Sequence, residues 1–109
     1  MKTVVLGAFL ASMFFASANA QIVETPKPSD VHPYTPDLAV RSGRSGQATV
    51  RCVVQEDGSL RRCAVVSEAP MGYAFGAASV HAAEHLYKAK RPSEGGSPTV
   101  DVPFSWNEH

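Results

Sequence analysis

Two cysteines, Cys52 and Cys63, are the residues of this chain with the clearest capacity for chemistry. They lie at equal distances on either side of Asp57-Gly58, within two runs of residues that favour β-strands. If Asp57-Gly58, or the four residues 56–59, form a hairpin loop, Cys52 faces Cys63. Facing Cα atoms of an antiparallel pair are about 4.5 to 5.5 Å apart, which is disulfide distance. The spacing predicts a structural disulfide, and the alternative is two small buried thiols.

The start of the chain indicates an oxidising compartment, where such a disulfide would form. Met1-Lys2 is a short positive segment, residues 4–16 are apolar but short for a membrane span, and Ala18-Asn19-Ala20 resembles a cleavage site. We expect residues 1–20 to be a signal peptide that is removed on export to the periplasm. The alternative is an uncleaved anchor that holds the protein on the periplasmic face of the inner membrane.

A second group with possible chemistry is His81, Glu84 and His85, which form the pattern H-x-x-E-H. Two histidines four residues apart lie on one helical face and can bind zinc, and the glutamate can act as a general base. A catalytic zinc also needs a third protein ligand, and no later acidic residue lies on a recognisable second ligand helix. We expect no metal or other cofactor, and zinc at His81 and His85 is the less favoured alternative.

Composition excludes other function classes. The formal net charge is +0, which lacks the basic excess of a nucleic-acid-binding domain. The serines do not lie in a nucleophile elbow. We expect a protein that is not an enzyme and has no small-molecule substrate.

The elements that must position these residues follow from turn signals and apolar periodicity. Residues 21–35 contain several prolines and no apolar period, so they predict an extended linker. Residues 36–109 predict one small domain, whose elements are a brief helix at 36–41, hairpin strands at 47–55 and 60–66, a helix at 75–88 and a last strand at 100–106. The predicted fold class is α+β, with a small antiparallel sheet and helical cover on one face.

The core should lie between the sheet and the second helix. On the hairpin, alternation predicts one buried face, formed by Ala48, Val50, Cys52, Val54, Cys63 and Val65. The assumed register also places Arg61 on this face, opposite Val54. On the helix, an apolar stripe is formed by Phe75, Ala78, Ala82 and Leu86. Pro103 cannot donate a ladder hydrogen bond, so the last strand should be an edge strand with that position pointing outward.

The order of these motifs resembles the C-terminal domain of TonB-type energy transducers and their stand-alone relatives. The resemblance covers most of residues 33–106 and is carried by four stretches: Pro36-x-x-Ala39-x-x-x-Gly43-x-x-Gly46, the alternating strand before Asp57-Gly58-x-Leu60, Val65-Val66-Ser67 with Pro70-x-Gly72-Tyr73-x-Phe75-Gly76-x-Ala78, and Val100-x-Val102-Pro103-Phe104. Thr35 separates Tyr34 from Pro36, where the family often has Tyr-Pro directly. We also expect the chain to be without the long proline-rich spacer and permanent membrane anchor of energy transducers.

The resemblance implies a periplasmic protein-binding domain whose edge strand accepts the TonB box of an outer-membrane receptor. Such an edge binds an extended partner through its main chain. The candidate partner-binding residues are Val100, Asp101, Val102, Phe104 and Trp106. The alternative is that Phe104 and Trp106 complete the core while Pro103 prevents pairing. We expect an envelope or outer-membrane transport protein as the partner, with an inner-membrane-tethered energy transducer as the alternative function and a homodimer through edge strands also open.

Overall fold

A computed structural model of the chain describes residues 22–107. The predicted signal peptide, residues 1–20, lies outside these residues. The helices are α1 (Pro28–Val31), α2 (Asp37–Ser42) and α3 (Phe75–Leu86), with single 3₁₀ turns at His32–Tyr34 and Pro92–Glu94. The strands are β1 (Ile22–Glu24), β2 (Gly46–Val54), β3 (Leu60–Ala69), β4 (Lys88–Ala89) and β5 (Thr99–Trp106).

The main sheet is antiparallel and has the strand order β3-β2-β5. Strand β2 is central because it pairs with its hairpin partner β3 on one side and with the last strand on the other. Helix α3 packs across β2 and β3 on one face of the sheet. The α+β fold class, the helical cover and the edge position of the last strand are therefore confirmed.

The length of the hairpin loop differs by one residue from each of the two lengths, two and four residues, that the sequence suggested. Gln55 N–H donates to Ser59 O at 2.8 Å, and Gly58 N–H donates to Gln55 O at 3.0 Å. Three residues, 56–58, therefore form the loop, and Gly58 has a φ of 89°. This is the three-residue hairpin in which a turn is followed by a left-handed residue, usually glycine.

A β-bulge returns the hairpin to the predicted register further along. Arg51 faces Ala64 and Val53 faces Arg61, so Arg62 and Cys63 together lie opposite the single residue Cys52. Arg62 has a φ of 52°, the left-handed conformation that such an extra residue can require. Cys52 and Cys63 therefore meet, with their Cα atoms 4.0 Å apart, and form the predicted disulfide.

The register near the loop corrects one prediction. Val54 faces Leu60, which is fully buried, and does not face Arg61. Arg61 instead pairs with Val53 and is exposed. The three-residue loop is the physical reason, because a one-residue slip moves each side chain to the opposite face of the sheet.

The core lies between α3 and the inward face of the sheet. Ala48, Val50, Cys52 and Val54 of β2 are buried there as predicted, whereas Val65 of β3, predicted on the same buried face, is 44 % exposed. Helix α3 buries a broader stripe than expected, formed by Phe75, Gly76, Ser79, Ala82 and Ala83. The small residues allow the helix to approach the sheet closely.

The helix ends two residues earlier than predicted. Tyr87 is extended, with φ −104° and ψ 149°, and leads directly into β4. Lys88 and Lys90 therefore follow the helix and do not lie in its last turn. Ala89 N–H donates to Gly58 O at 2.9 Å, so β4 contacts the hairpin loop.

Residues 22–35 contain more regular structure than the extended linker we expected. Strand β1 pairs with β4, with Ile22 facing Ala89. Ile22, Val31 and Tyr34 pack against the core. These apolar side chains lack a periodic spacing, so only their tertiary contacts reveal that they are partly buried.

Candidate functional site: the free edge of the sheet

The side chains of β5 divide cleanly between two faces of the sheet. The strand pairs with β2 from Thr99, opposite Val53, to Trp106, opposite Gly46, without a bulge. The even-numbered side chains are in the core, with relative exposures of 1 to 7 %: Val100, Val102, Phe104 and Trp106. These four predicted partner-binding residues therefore complete the core, which was the alternative interpretation of Phe104 and Trp106.

The main-chain N–H and C=O groups of β5 also alternate, between the β2 side and the free edge of the sheet. One hydrogen bond establishes which residues point to which side. Val54 N–H donates to Pro98 O at 2.8 Å. In an antiparallel ladder, every second residue exchanges hydrogen bonds with the neighbouring strand and the residues between direct theirs away. The groups of Val100 and Val102 consequently face β2. Those of the odd-numbered residues face the free edge: Thr99, Asp101, Pro103 and Ser105.

This phase changes the set of residues that a partner strand can use. Of the five residues predicted to bind a partner, only Asp101 directs its N–H and C=O outward. Thr99 and Ser105 also do so, and the sequence prediction omitted them from the binding set. The position of Pro103 could have identified them, because a proline in an edge strand must direct its nitrogen away from the ladder. Binding itself stays a prediction.

Pro103 interrupts this row of outward groups. It faces Thr49 of β2 and is exposed. Its carbonyl is available as an acceptor, but its nitrogen carries no hydrogen. Within residues 22–107, the free edge of β5 therefore offers outward N–H donors at Thr99, Asp101 and Ser105. It offers no donor at Pro103, between Asp101 and Ser105.

An ion pair holds the middle of β5 to β2 on the sheet face opposite α3. Arg51 donates to Asp101 through Nε (2.7 Å) and through Nη2 (3.0 Å), one bond to each carboxylate oxygen. These hydrogen bonds, together with the positive charge of Arg51, hold the pKa of Asp101 below the usual range of an aspartate. The Asp101 side chain is 37 % exposed, so it contributes negative charge beside the free edge.

The other edge of the sheet, β3, is occupied over its first half. The Cys63 N–H donates to Glu84 Oε2 of α3 at 3.2 Å. The Arg61 guanidinium donates to Glu84 O at 3.0 Å. Ser59, just before β3, is bridged to Lys88 of β4. The Cys63 and Ser59 contacts occupy main-chain groups that a partner strand would need, and the Arg61 contact ties the same end of β3 to α3.

The second half of β3 is irregular. Thr49 faces Ser67 while Val50 faces Val65, so Val66 is an extra residue in the strand. A bulge disrupts the ladder and increases the local twist, which discourages pairing with a further strand. The longest regular edge in residues 22–107 is therefore that of β5.

The H-x-x-E-H residues have structural contacts. Glu84 accepts the Cys63 N–H, and His85 Nδ1 is 2.9 Å from the carbonyl oxygen of His81. The two imidazole rings stack with centroids 6.0 Å apart. Across residues 22–107, no three histidine, cysteine or acidic side chains are grouped as metal ligands. The arrangement places Glu84 at a strand edge, where it acts as a hydrogen-bond acceptor.

Comparison with known proteins agrees with this architecture. A family model described as the Gram-negative bacterial TonB protein C-terminal matches residues 31–107. No curated protein matches the chain. None of the helices in the described residues is both long and apolar enough to cross a membrane. Domains of this family are non-enzymatic, belong to the cell envelope and interact with outer-membrane receptors. Because this family model matches well over half of the chain, the chain belongs to the TonB C-terminal domain family.

Proposed function

We propose that the protein is a periplasmic TonB-like domain that binds an envelope or outer-membrane transport protein by adding one of its extended segments to β5. The observation that carries this proposal is the difference between the two sheet edges. Strand β5 has a regular row of outward main-chain groups, whereas the edge of β3 is covered by Glu84, Arg61 and β4.

Strand addition suits this edge for a physical reason. Main-chain hydrogen bonds supply affinity, and the side chains of the added segment supply specificity. Because the inward side chains of β5 are already buried, the partner need not reorganise the core. Three of the β5 residues whose main-chain groups face the free edge have short or constrained side chains, namely Thr99, Pro103 and Ser105. These side chains let another strand approach.

The proposed location is the periplasm, after removal of residues 1–20. An oxidising compartment agrees with the Cys52–Cys63 disulfide, since such bonds are rare in reducing compartments. We further propose that the protein binds its partner without coupling the interaction to the proton-motive force. Residues 28–34 form short helical turns beside the domain and supply little length for a spacer that would span the periplasm.

The binding proposal is tested by photocrosslinking in intact cells. A photoreactive amino acid is placed at Thr99 or at Ser105, and a matched control carries it at Ala64, an exposed residue of β3. We expect outer-membrane or transport proteins to be captured from both β5 positions and not from Ala64. Equal capture from all three positions, or no such capture from β5, would contradict edge addition.

The location is tested separately by fractionation and N-terminal sequencing. We expect a protein that begins near Gln21 in the periplasmic fraction. Recovery of the intact chain only in inner membranes would support the tethered energy transducer instead.

A further inference from the structure

We propose that Pro103 makes β5 select a strand of another protein over the β5 strand of a second copy of this chain. The proposal rests on the proposed function, because it concerns the same edge. It specifies which partners that edge accepts: an extended segment with a basic residue opposite Asp101.

A homodimer through β5 would place Pro103 in the interface twice. A closed two-fold dimer pairs the two strands antiparallel. Only residues with outward main-chain groups can exchange hydrogen bonds, so odd-numbered residues of one copy face odd-numbered residues of the other. If Asp101 faces Pro103 of the second copy, then Pro103 faces Asp101 of that copy as well. The dimer then lacks two hydrogen bonds that a regular ladder would have.

The neighbouring symmetric registers carry the same loss and a second cost. When Asp101 faces Asp101 of the second copy, two carboxylates lie directly opposite each other, which destabilises a strand pair. When Pro103 faces Pro103 of the second copy, two rings meet at the centre of the interface. Registers that exclude Pro103 leave too few outward groups for a stable pair, either Thr99 with Asp101 or Ser105 alone.

A strand from a different protein meets Pro103 only once. It therefore loses one hydrogen bond, and it can also end, bend or carry its own proline at that point. A hydrogen bond of ordinary strength changes an equilibrium constant by roughly fivefold. One proline therefore weakens a heterologous pair roughly fivefold and a homologous pair about 25-fold, because the homologous pair contains it twice.

The charge beside the edge indicates the chemistry of the added segment. Asp101 is the only charged side chain on β5 and lies on the open face of the sheet. A residue directly opposite it on an added strand shares this face, where an opposite charge is favourable. A lysine or arginine at that position would join the existing Arg51–Asp101 pair, which leaves part of the carboxylate exposed.

The first experiment restores the missing donor and measures self-association. Pro103→Thr adds an N–H at an exposed position, and Ser105→Thr is the matched control, since it raises strand propensity without adding a donor. Sedimentation equilibrium of the purified proteins should show that Pro103→Thr dimerises about 25-fold more strongly than the wild type. The Ser105→Thr protein should resemble the wild type. An increase no larger than that of the control would overturn the proposal.

The second experiment measures addition of a different strand. The probe is a short capped peptide of alternating threonine and valine with one central lysine, and its counterpart has glutamate in place of the lysine. In an NMR titration, the lysine peptide should shift the amide signals of Thr99 and Asp101 more than those of Val100 and Val102. It should bind more tightly than the glutamate peptide, and Pro103→Thr should strengthen its binding only about fivefold.

The outcomes separate this inference from the proposed function. If the lysine peptide binds, but Pro103→Thr strengthens self-association no more than it strengthens peptide binding, the proposed selection by Pro103 is wrong. Addition of a partner strand to the edge of β5 then still stands. If Pro103→Thr dimerises while neither peptide shifts any β5 amide, the effect on self-pairing stands and the claim that the edge accepts a basic segment is overturned. Tighter binding of the glutamate peptide would overturn the charge preference.

Discussion

The indole N–H of Trp106 donates to the hydroxyl of Ser79 at 2.9 Å, across 27 positions of sequence. The Ser79 hydroxyl in turn donates to the carbonyl oxygen of Phe75 at 2.8 Å. Trp106 and Ser79 are both buried, with relative exposures of 3 % and 0 %. This contact joins the end of β5 to the middle of α3 and satisfies the one polar atom of the tryptophan.

Replacement of Ser79 by alanine should therefore destabilise the fold. The substitution leaves the Trp106 N–H buried without an acceptor, which costs about 1 to 3 kcal/mol. Urea denaturation measures the change. The matched control is Trp106→Phe in both backgrounds, because without the indole the loss of the serine hydroxyl should cost less. Additive effects of the two substitutions would show that the hydrogen bond has no role in stability.

Gly76 marks a close approach of α3 to β3, and a side chain there should be unfavourable. An added Cβ would lie 2.8 and 3.0 Å from the two methyl carbons of Val65 and near the carboxylate of Glu68. Alanine usually stabilises a helix by about 1 kcal/mol relative to glycine, but overpacking costs about 1 to 3 kcal/mol. We expect Gly76→Ala to lower the free energy of unfolding.

A control separates packing from helix propensity at this site. Ala77 is exposed on the same helix, so Ala77→Gly should cost about 1 kcal/mol through propensity alone. Val65→Ala should relieve the effect of Gly76→Ala. A more stable Gly76→Ala protein would contradict the close approach.

Reduction of the Cys52–Cys63 disulfide should lower stability without changing the topology. The bond joins residues 11 positions apart, and closing such a loop is worth roughly 2 to 3 kcal/mol on the chain-entropy model. Urea denaturation with and without reductant measures the loss, and circular dichroism checks the secondary structure. The double variant Cys52→Ala/Cys63→Ala should be insensitive to reductant. Loss of the sheet signal on reduction would assign the disulfide a larger role.

The Arg51–Asp101 pair should make stability fall at acidic pH. The pKa of Asp101 is depressed in the folded protein by its hydrogen bonds with Arg51. A depressed pKa stabilises the fold above the pKa of the unfolded state, and this contribution disappears as the pH falls through the folded-state pKa. Because both side chains are more than a third exposed, screening by solvent should keep this contribution small.

Comparison of unfolding curves at neutral and acidic pH detects this term. Asp101→Asn should be slightly less stable than the wild type at neutral pH, and the difference should vanish at the acidic end. High salt should also reduce it, since salt screens exposed charges. A constant difference across the pH range would mean that the ion pair is not its cause.

Local sequence signals predicted the elements well because turn chemistry and alternation act over a few residues. Asp57-Gly58 indicated the hairpin, and the alternating residues of β2 indicated its buried face. The disulfide was predicted correctly although two details of the register were not. The three-residue loop shifts the pairing by one residue, and the bulge at Arg62 shifts it back before Cys52.

The free edge illustrates what alternation could and could not reveal. The outward direction that proline requires at position 103 was sufficient to identify the outward main-chain groups of Thr99, Asp101 and Ser105, which alternate with it along the strand. It did not reveal that Glu84 covers the opposite edge, because that contact joins residues 21 positions apart. The same pattern, H-x-x-E-H, suggested zinc when it was considered without the neighbouring strand.

The sequence by itself determined the family, the α+β class, the cysteine pair and the edge position of β5. Each depends on residue types at short or regular spacing, which local conformational preferences convert into structure. Only the tertiary structure decided which edge stays open, where Trp106 finds its hydrogen bond and how residues 22–35 pack. These features depend on contacts between distant segments, whose geometry arises when the sheet, α3 and the first strand are assembled together.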